Sequence, residues 1–303
     1  MSAIPTNVPP LPQQVTIHEV APRDGLQNEG VLVSTQDKLR LIEALIAAGL
    51  RRIEATSFVS PTRVPQMADA EAVMAAVPRD RGVAYTGLVL NPRGAERAIA
   101  AGCDDLGYVI VATETFSRRN QGRSIADTVA DWHRVAAMAR EAGRTASITM
   151  AVAFGCPFEG AVARDTVIAI IREAMRSMPD EIALADTIGI AVPSQVLDLF
   201  GALRPVAGDL PMRAHFHNTR NTGYANAYAA LLAGVTILDA SAGGIGGCPF
   251  APRATGNIAT EDLLFMLGGL GVAHGIDGGA VGALEAWLEE RLGHPVPGQL
   301  GRV

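Results

Sequence analysis

The chain has 303 residues, 49% hydrophobic and 18% charged, with a formal net charge of −6. This composition fills a large core and excludes a disordered chain or a coiled coil, and its acidic balance argues against a nucleic-acid partner. No run approaches the ~20 apolar residues of a membrane helix, and three cysteines without CxxC spacing (Cys103, Cys156, Cys248) suggest a reducing cytoplasm.

Residues 1–14 hold no basic residue and no apolar h-region, so they read as a flexible Pro-rich tail rather than a targeting peptide. The first strand-like run is Val15–Ala21, followed by Pro22-Arg23-Asp24-Gly25. Thr35–Ala48 has the apolar spacing of an amphipathic helix, with Ser34 and Asp37 placed as a capping-box variant. It carries Lys38, the sole lysine among 25 basic residues, on a polar position. Imine chemistry needs a lysine amine in the site. Carbon–carbon chemistry on this chain would therefore proceed without an enzyme imine, with a metal as the electron sink.

Further strand-like runs follow at Arg52–Thr56, Val83–Val89, Leu106–Ala112, Ala146–Phe154, Glu181–Ala185, Met212–His217 and Thr236–Ser241. Helical patterns lie between and after them at Pro65–Val77, Ile125–Glu141, Arg164–Arg176, Ser194–Leu203, Tyr224–Leu232 and Thr260–Leu267. A last helix is expected at Leu284–Arg291. Gly49, Gly102, Gly143 and Gly234 sit where helices should end. Eight runs separated by helices predict a single α/β domain over residues 15–303, a (β/α)8 TIM barrel with a C-terminal helical extension. A doubly wound open sheet competes, but it usually needs a Gly-rich turn after the first strand.

Function in a barrel collects at the C-terminal ends of the strands. Those positions hold Arg23 and Asp24, Glu54, Asp186, His215 and His217, and a Gly-rich loop running from Ala242 to Ile258. His215 and His217 are two apart on a strand and point to one side, either as a ligand pair or as hydrogen-bonded structural groups. Asp24 tips this toward a metal, because strand 1 closes against strand 8 and strand 7 is next along. Asn257 is the natural fourth ligand. Carboxylate, amide and two imidazoles suit Mg²⁺, Mn²⁺ or Co²⁺. Arg23 either forms an ion pair, for which Glu19 is a candidate, or stabilises a developing oxyanion. Glu54 and Asp186 either orient ligands or make ordinary rim hydrogen bonds. The loop GGIGGCPF cannot be a dinucleotide turn, since Cys248-Pro249 breaks the chain where a helix should start, so it reads as a lid. Cys248 within it is a candidate acid or base. Cys103, His18, His133, His274 and His294 have no partner constellation and read as structural or surface groups.

With these residues in view, the chain resembles the 3-hydroxy-3-methylglutaryl-CoA lyase family. Related barrel enzymes include the isopropylmalate, citramalate and homocitrate synthases. The likeness spans about Val15 to Gly275 and rests on EVAPRDGLQNEG, IEATSFVSPTRVPQMAD, GCPFEG, ADTIGI and GGIGGCPFAPRATGNIATEDL. It implies that Asp24, His215, His217 and Asn257 hold Mg²⁺ or Mn²⁺. It implies that Arg23 steadies a thioester enolate and that Cys248 assists proton transfer. Glu54 and Asp186 would support catalysis, and His215 would exchange a proton with the substrate hydroxyl. Gln27 and Asn120 would contact the acyl-CoA substrate, in a homodimer. The implied reaction is a retro-Claisen cleavage to acetyl-CoA and a keto acid.

Two rim segments depart from the lyase pattern. Asn218-Thr219-Arg220-Asn221-Thr222 stands where lyases carry an Asp-Thr-Tyr-Gly-Gln run, and Asn120-Gln121-Gly122 replaces Asn-Ile-Asn. Arg220 could there meet an additional or shifted substrate carboxylate. The alternatives are therefore a lyase for citramalyl-CoA or a longer 3-hydroxy-3-alkylglutaryl-CoA. A condensing synthase, favoured by Asn218, is opposed by the cysteine in the loop and by the lack of room for a regulatory domain after Gly275. A scaffold without catalysis would have lost matched positions, and none is lost.

Overall fold

Backbone hydrogen bonds turn the apolar runs into strands and the periodic segments into helices. The computed structural model describes residues 9–247 and 256–302. The chain runs β1 (Thr16–Glu19), a π-helical turn (Ala21–Gly25), α1 (Thr35–Ala47), β2 (Arg52–Ser57) and α2 (Ala70–Ala76). Next come β3 (Ala84–Val89), α3 (Pro92–Ala100), β4 (Asp105–Val111), α4 (Glu114–Gln121), α5 (Ile125–Glu141) and β5 (Thr145–Ala151). A small hairpin, β6 (Gly155–Cys156) with β7 (Gly160–Ala161), precedes α6 (Arg164–Ala174) and β8 (Glu181–Asp186). The chain continues through α7 (Pro193–Ala207), β9 (Met212–Phe216), α8 (Gly223–Leu232), β10 (Ile237–Ala240) and a 3₁₀ turn, Ala242–Gly244. It ends in α9 (Thr260–Gly269), α10 (Gly278–Gly282), α11 (Glu285–Leu292) and a short turn at Leu300–Arg302.

Eight strands close into a parallel barrel in the order β1-β10-β9-β8-β5-β4-β3-β2. The TIM barrel is confirmed, and closure excludes the open doubly wound sheet. At the seam β1 pairs with β10 (Glu19 opposite Ala240) and with β2 (Glu19 opposite Ile53). Aliphatic and aromatic side chains such as Tyr108, Trp132 and Phe200 fill the space between barrel and helices. No helix of the described residues is long and apolar enough to cross a membrane. Gln13 and Gln14 already pair with Ala273, so the last residues before β1 are tied down.

Several boundaries differ from the sequence reading for identifiable reasons. The first strand stops at Glu19 because the Glu19 carboxylate takes the Ala21 N–H at 2.9 Å. The fifth strand stops at Ala151, not Phe154, because Val152 adopts φ 51°, a left-handed conformation a β-branched residue rarely holds. The helix expected at Pro65–Val77 divides into a 3₁₀ turn (Pro65–Met67) and α2. Lys38 explains that break. It is buried rather than on a polar face, and its Nζ donates to the Gln66 carbonyl and, at 2.6 Å, to Asp69. The Gln66 carbonyl is thereby drawn out of helical bonding. The cap at Ser34 forms: its hydroxyl accepts from the Asp37 N–H at 3.1 Å. The C-terminal helix appears as Glu285–Leu292.

Candidate functional site

Glu19 anchors the turn that carries Arg23 and Asp24. Its carboxyl accepts from the Ala21 N–H, the Ala242 N–H at 3.0 Å and the Thr260 hydroxyl at 2.7 Å, joining both sides of the barrel seam. Full burial pushes this carboxyl up to about 7. Arg23 does not pair with Glu19. Its guanidinium meets Glu54 Oε2 at 2.5 Å and Asp24 Oδ1 at 2.7 Å. Glu54 comes from β2 beside a register irregularity between Glu54 and Thr56, a feature that re-aims side chains at barrel rims. Arg23 is therefore a fixed positive charge clamped between two acids.

The second carboxylate oxygen of Asp24 faces both histidines, at 3.7 Å from His217 Nε2 and 4.0 Å from His215 Nε2. The two rings tilt against one another with centroids 5.2 Å apart. Burial alone would favour a neutral Asp24, but Arg23, His217 and His215 outweigh it and hold the carboxyl well below the usual range. Asn257 joins from the far side of the seam. It bridges His217 through the backbone, and its Nδ2 donates to Asp24 Oδ2 at 2.8 Å and to the Ile245 carbonyl at 3.1 Å. Donor atoms of Asp24, His215 and His217 lie within 4.8 Å of one another, as one metal ion requires. Asn257 Oδ1 is buried with no hydrogen-bond partner among the described residues, a further donor oxygen. A carboxylate, an amide oxygen and two imidazoles fit a divalent cation of the Mg²⁺ or Mn²⁺ type.

Beneath this cluster lies a buried charged layer that sequence reasoning missed. Asp239 accepts from both His215 and Arg213, and Arg213 reaches Glu181 at 2.6 Å and Thr149 at 3.1 Å. Glu181 also accepts from Arg52 at 2.5 Å. His18, expected to lack partners, sits 3.2 Å from Asp239 through Nδ1. Burial lowers the affinity of His215 for a proton, but Asp239 and Asp24 reverse this and raise it. The available signal was a charged residue within four of the apolar runs: Arg52, Glu181, Arg213 and Asp239. Such residues are almost never fully buried unless paired.

The remaining candidates are spread around the rim. Asp186 ends β8 and is buried, its carboxyl accepting from Ile190 N–H at 3.0 Å and Ala191 N–H at 2.9 Å. Burial raises its pKa against those bonds. Gln27 accepts from the Ser57 hydroxyl at 3.3 Å. Arg220 Nη1 donates to the carbonyls of Ile188 and Gly189 at 3.1 and 2.9 Å, which seats it on the loop after β8. Asn120 lies near the end of α4 and is half-buried. Cys248 lies outside the described residues. Asn28, not singled out from sequence, donates to the Gly247 carbonyl at 2.7 Å, immediately before that cysteine. The motif segment EVAPRDGLQNEG contained it.

Known proteins share this arrangement of chain and barrel. A model of the HMGL-like family matches residues 14–286. The (R)-citramalyl-CoA lyase of Chloroflexus aurantiacus is 45% identical over 300 residues, covering 96% of this chain and 95% of that protein. The hydroxymethylglutaryl-CoA lyase YngG of Bacillus subtilis is 39% identical, covering 95% of this chain and 96% of its own. An HMG-CoA lyase structure from Acinetobacter baumannii, in complex with coenzyme A and 3-methylmalate, superposes with a TM-score of 0.92 at 37% identity. That alignment covers 96% of this chain and 95% of the other. With the family match running from the start of the barrel into α11, this chain belongs to the HMGL-like family of lyases.

Proposed function

We propose that the protein is a divalent-metal-dependent lyase that cleaves the C2–C3 bond of a 3-hydroxyacyl-CoA, with 3-hydroxy-3-methylglutaryl-CoA as its substrate. One observation carries this reading: Arg23, Asp24, His215, His217 and Asn257 converge at the C-terminal mouth of the barrel, across its seam. Asp24, the two imidazoles and Asn257 Oδ1 would hold Mg²⁺ or Mn²⁺, which when bound supplies Lewis acidity to substrate oxygens. The C3 hydroxyl gives up its proton to a base other than His215, whose Nδ1–H is held by Asp239 and whose Nε2 would be taken by the cation. The C2–C3 bond then breaks: C3 becomes the carbonyl carbon of acetoacetate, and the bonding pair passes to C2 as the acetyl-CoA enolate. Arg23, with a charge fixed at every working pH and clamped by Glu54, faces the oxyanion of that enolate. Cys248 delivers the proton to C2. Asp186 shapes the loop after β8, and Arg220 is seated on that same loop, where it can meet a substrate carboxylate.

A second reading is citramalyl-CoA, favoured by the 45% identity to a lyase for that thioester. The same bond cleavage would then give pyruvate with acetyl-CoA. A mass-spectrometric assay with Mg²⁺ or Mn²⁺ and an EDTA control separates the two. Its panel holds 3-hydroxy-3-methylglutaryl-CoA, both citramalyl-CoA enantiomers and a longer 3-hydroxy-3-alkylglutaryl-CoA. Metal-dependent acetoacetate is expected; pyruvate alone would move the substrate but keep the chemistry. Silence on every thioester would overturn the lyase reading and turn attention to condensation with 2-keto acids.

A further inference from the structure

Asp239 stands under His215 rather than beside the reacting atoms. Its Oδ1 takes Arg213 Nη1 at 2.9 Å and His18 Nδ1 at 3.2 Å. Its Oδ2 takes the same Arg213 nitrogen at 2.7 Å and His215 Nδ1 at 3.0 Å. A carboxylate can only accept, so the proton in the last contact belongs to His215 Nδ1. The other ring nitrogen, Nε2, faces Asp24 and keeps the lone pair that a cation needs.

Arg213 determines how that acceptor is presented. Its guanidinium is committed on three sides, with Nε to Glu181, Nη2 to Thr149 and Nη1 to Asp239. A guanidinium accepts nothing, so whatever stands at position 239 must turn oxygen toward it. We propose that Asp239, oriented by Arg213, is a positioning residue that commits His215 to its Nδ1–H tautomer and so presents Nε2 to the metal. This rests on the metal-dependent reading above.

Removing the acceptor tests the idea. Arg213→Met alone leaves the Asp239 carboxylate on His215, and Glu181 keeps Arg52 as its partner. Asp239→Leu/Arg213→Met takes away the carboxylate and its charge partner together, so Nδ1 of His215 is no longer held as a donor. Mn²⁺ affinity, read by electron paramagnetic resonance titration, should be about 10–100-fold lower in the double variant than in Arg213→Met. Loss of the buried charge alone would weaken both variants equally. Histidine ¹⁵N spectra of the metal-free wild type at alkaline pH read the tautomer with no substitution at all, and Nδ1–H is expected at His215. Equal Mn²⁺ affinity in Arg213→Met and the double variant, or Nε2–H at His215 in the wild type, would each overturn the positioning role alone. A wild type that binds Mn²⁺ no better than His215→Ala/His217→Ala would overturn the functional reading, and the positioning role with it.

Discussion

Glu19 shows how much a single enclosed carboxyl group can decide. Burial pushes it from 4.5 to about 7, so between those values the folded protein holds a proton that the unfolded chain has released. The stability this contributes is fully present below about pH 4.5 and is lost as the pH rises through about 7. The shift corresponds to roughly 3 kcal/mol. Glu19→Gln should abolish that loss while keeping the hydrogen bonds. Its amide oxygen can accept from Ala21 and Ala242, and its NH₂ can donate to Thr260 Oγ1. Urea unfolding at pH 5 and pH 8 should therefore show wild type losing about 2.5 kcal/mol relative to the variant, the first part of the loss having occurred below pH 5. A constant difference between the two proteins would mean that Glu19 is ionised throughout. Legibility at this scale was uneven. Arg23, Asp24, the histidine pair and Asn257 announce themselves as polar groups at strand ends. Asp239 and Arg213 do not, because a strand buried on both faces gives no alternation to show which side chains enter the bore.

Elements position these residues through β9 and the glycine turns after β10. On β9, Arg213 and His215 share a face with His217 beyond it, so one strand supplies both the charged layer and the two imidazoles of the candidate metal site. Opposite them, Gly246 has φ +113°, and a Cβ there would lie 2.7 Å from Asn257 Nδ2 and 3.0 Å from the Asp24 carbonyl. Gly246→Ala should thus weaken Mn²⁺ binding at least tenfold and cost about 1–3 kcal/mol of stability. Gly269→Ala, at the end of α9 with nothing within 4 Å, should leave Mn²⁺ binding unchanged. Equal metal affinity in the two variants would argue that Gly246 has no part in seating Asn257. The eight strands were readable because parallel barrel strands are long apolar runs. Helix α3 showed only its end, at Gly102, and α4 was not readable. The first, PRGAERAIA, buries only Gly94, Ala95 and Ala98, and the second, ETFSRRNQ, is largely polar. What stabilises them is capping and packing on a finished barrel: Asn91 caps α3, and Arg119 of α4 stacks on Phe158 at 4.3 Å.

At the scale of the molecule, the C-terminal segment braces the site from behind. The Gly298 N–H donates to the Gly243 carbonyl at 2.9 Å, at the base of the glycine-rich loop. Gln299 and Leu300 donate to Asp262, which also accepts from the Tyr224 hydroxyl, and Gly301 donates to Glu285. Removing residues 298–303 should lower Tm by about 2–4 °C for each kcal/mol of stability that these hydrogen bonds supply. It should also reduce kcat, with Mn²⁺ affinity little changed, because the metal donors are untouched. Calorimetry and steady-state kinetics on the shortened chain check this; an unchanged Tm would show that the segment braces nothing.

Barrel closure also sets when the candidate metal site can form. Asp24 and Asn257 meet side chain to side chain across a separation of 233 residues. During synthesis at about 5–20 residues per second, the first donor waits on the order of 10–50 s for the last. A nascent or prematurely released chain ending before Asn257 carries Asp24 and both histidines but lacks the closing strand-end partner. Assembly of the candidate metal site therefore follows translation of the last strand end instead of guiding it.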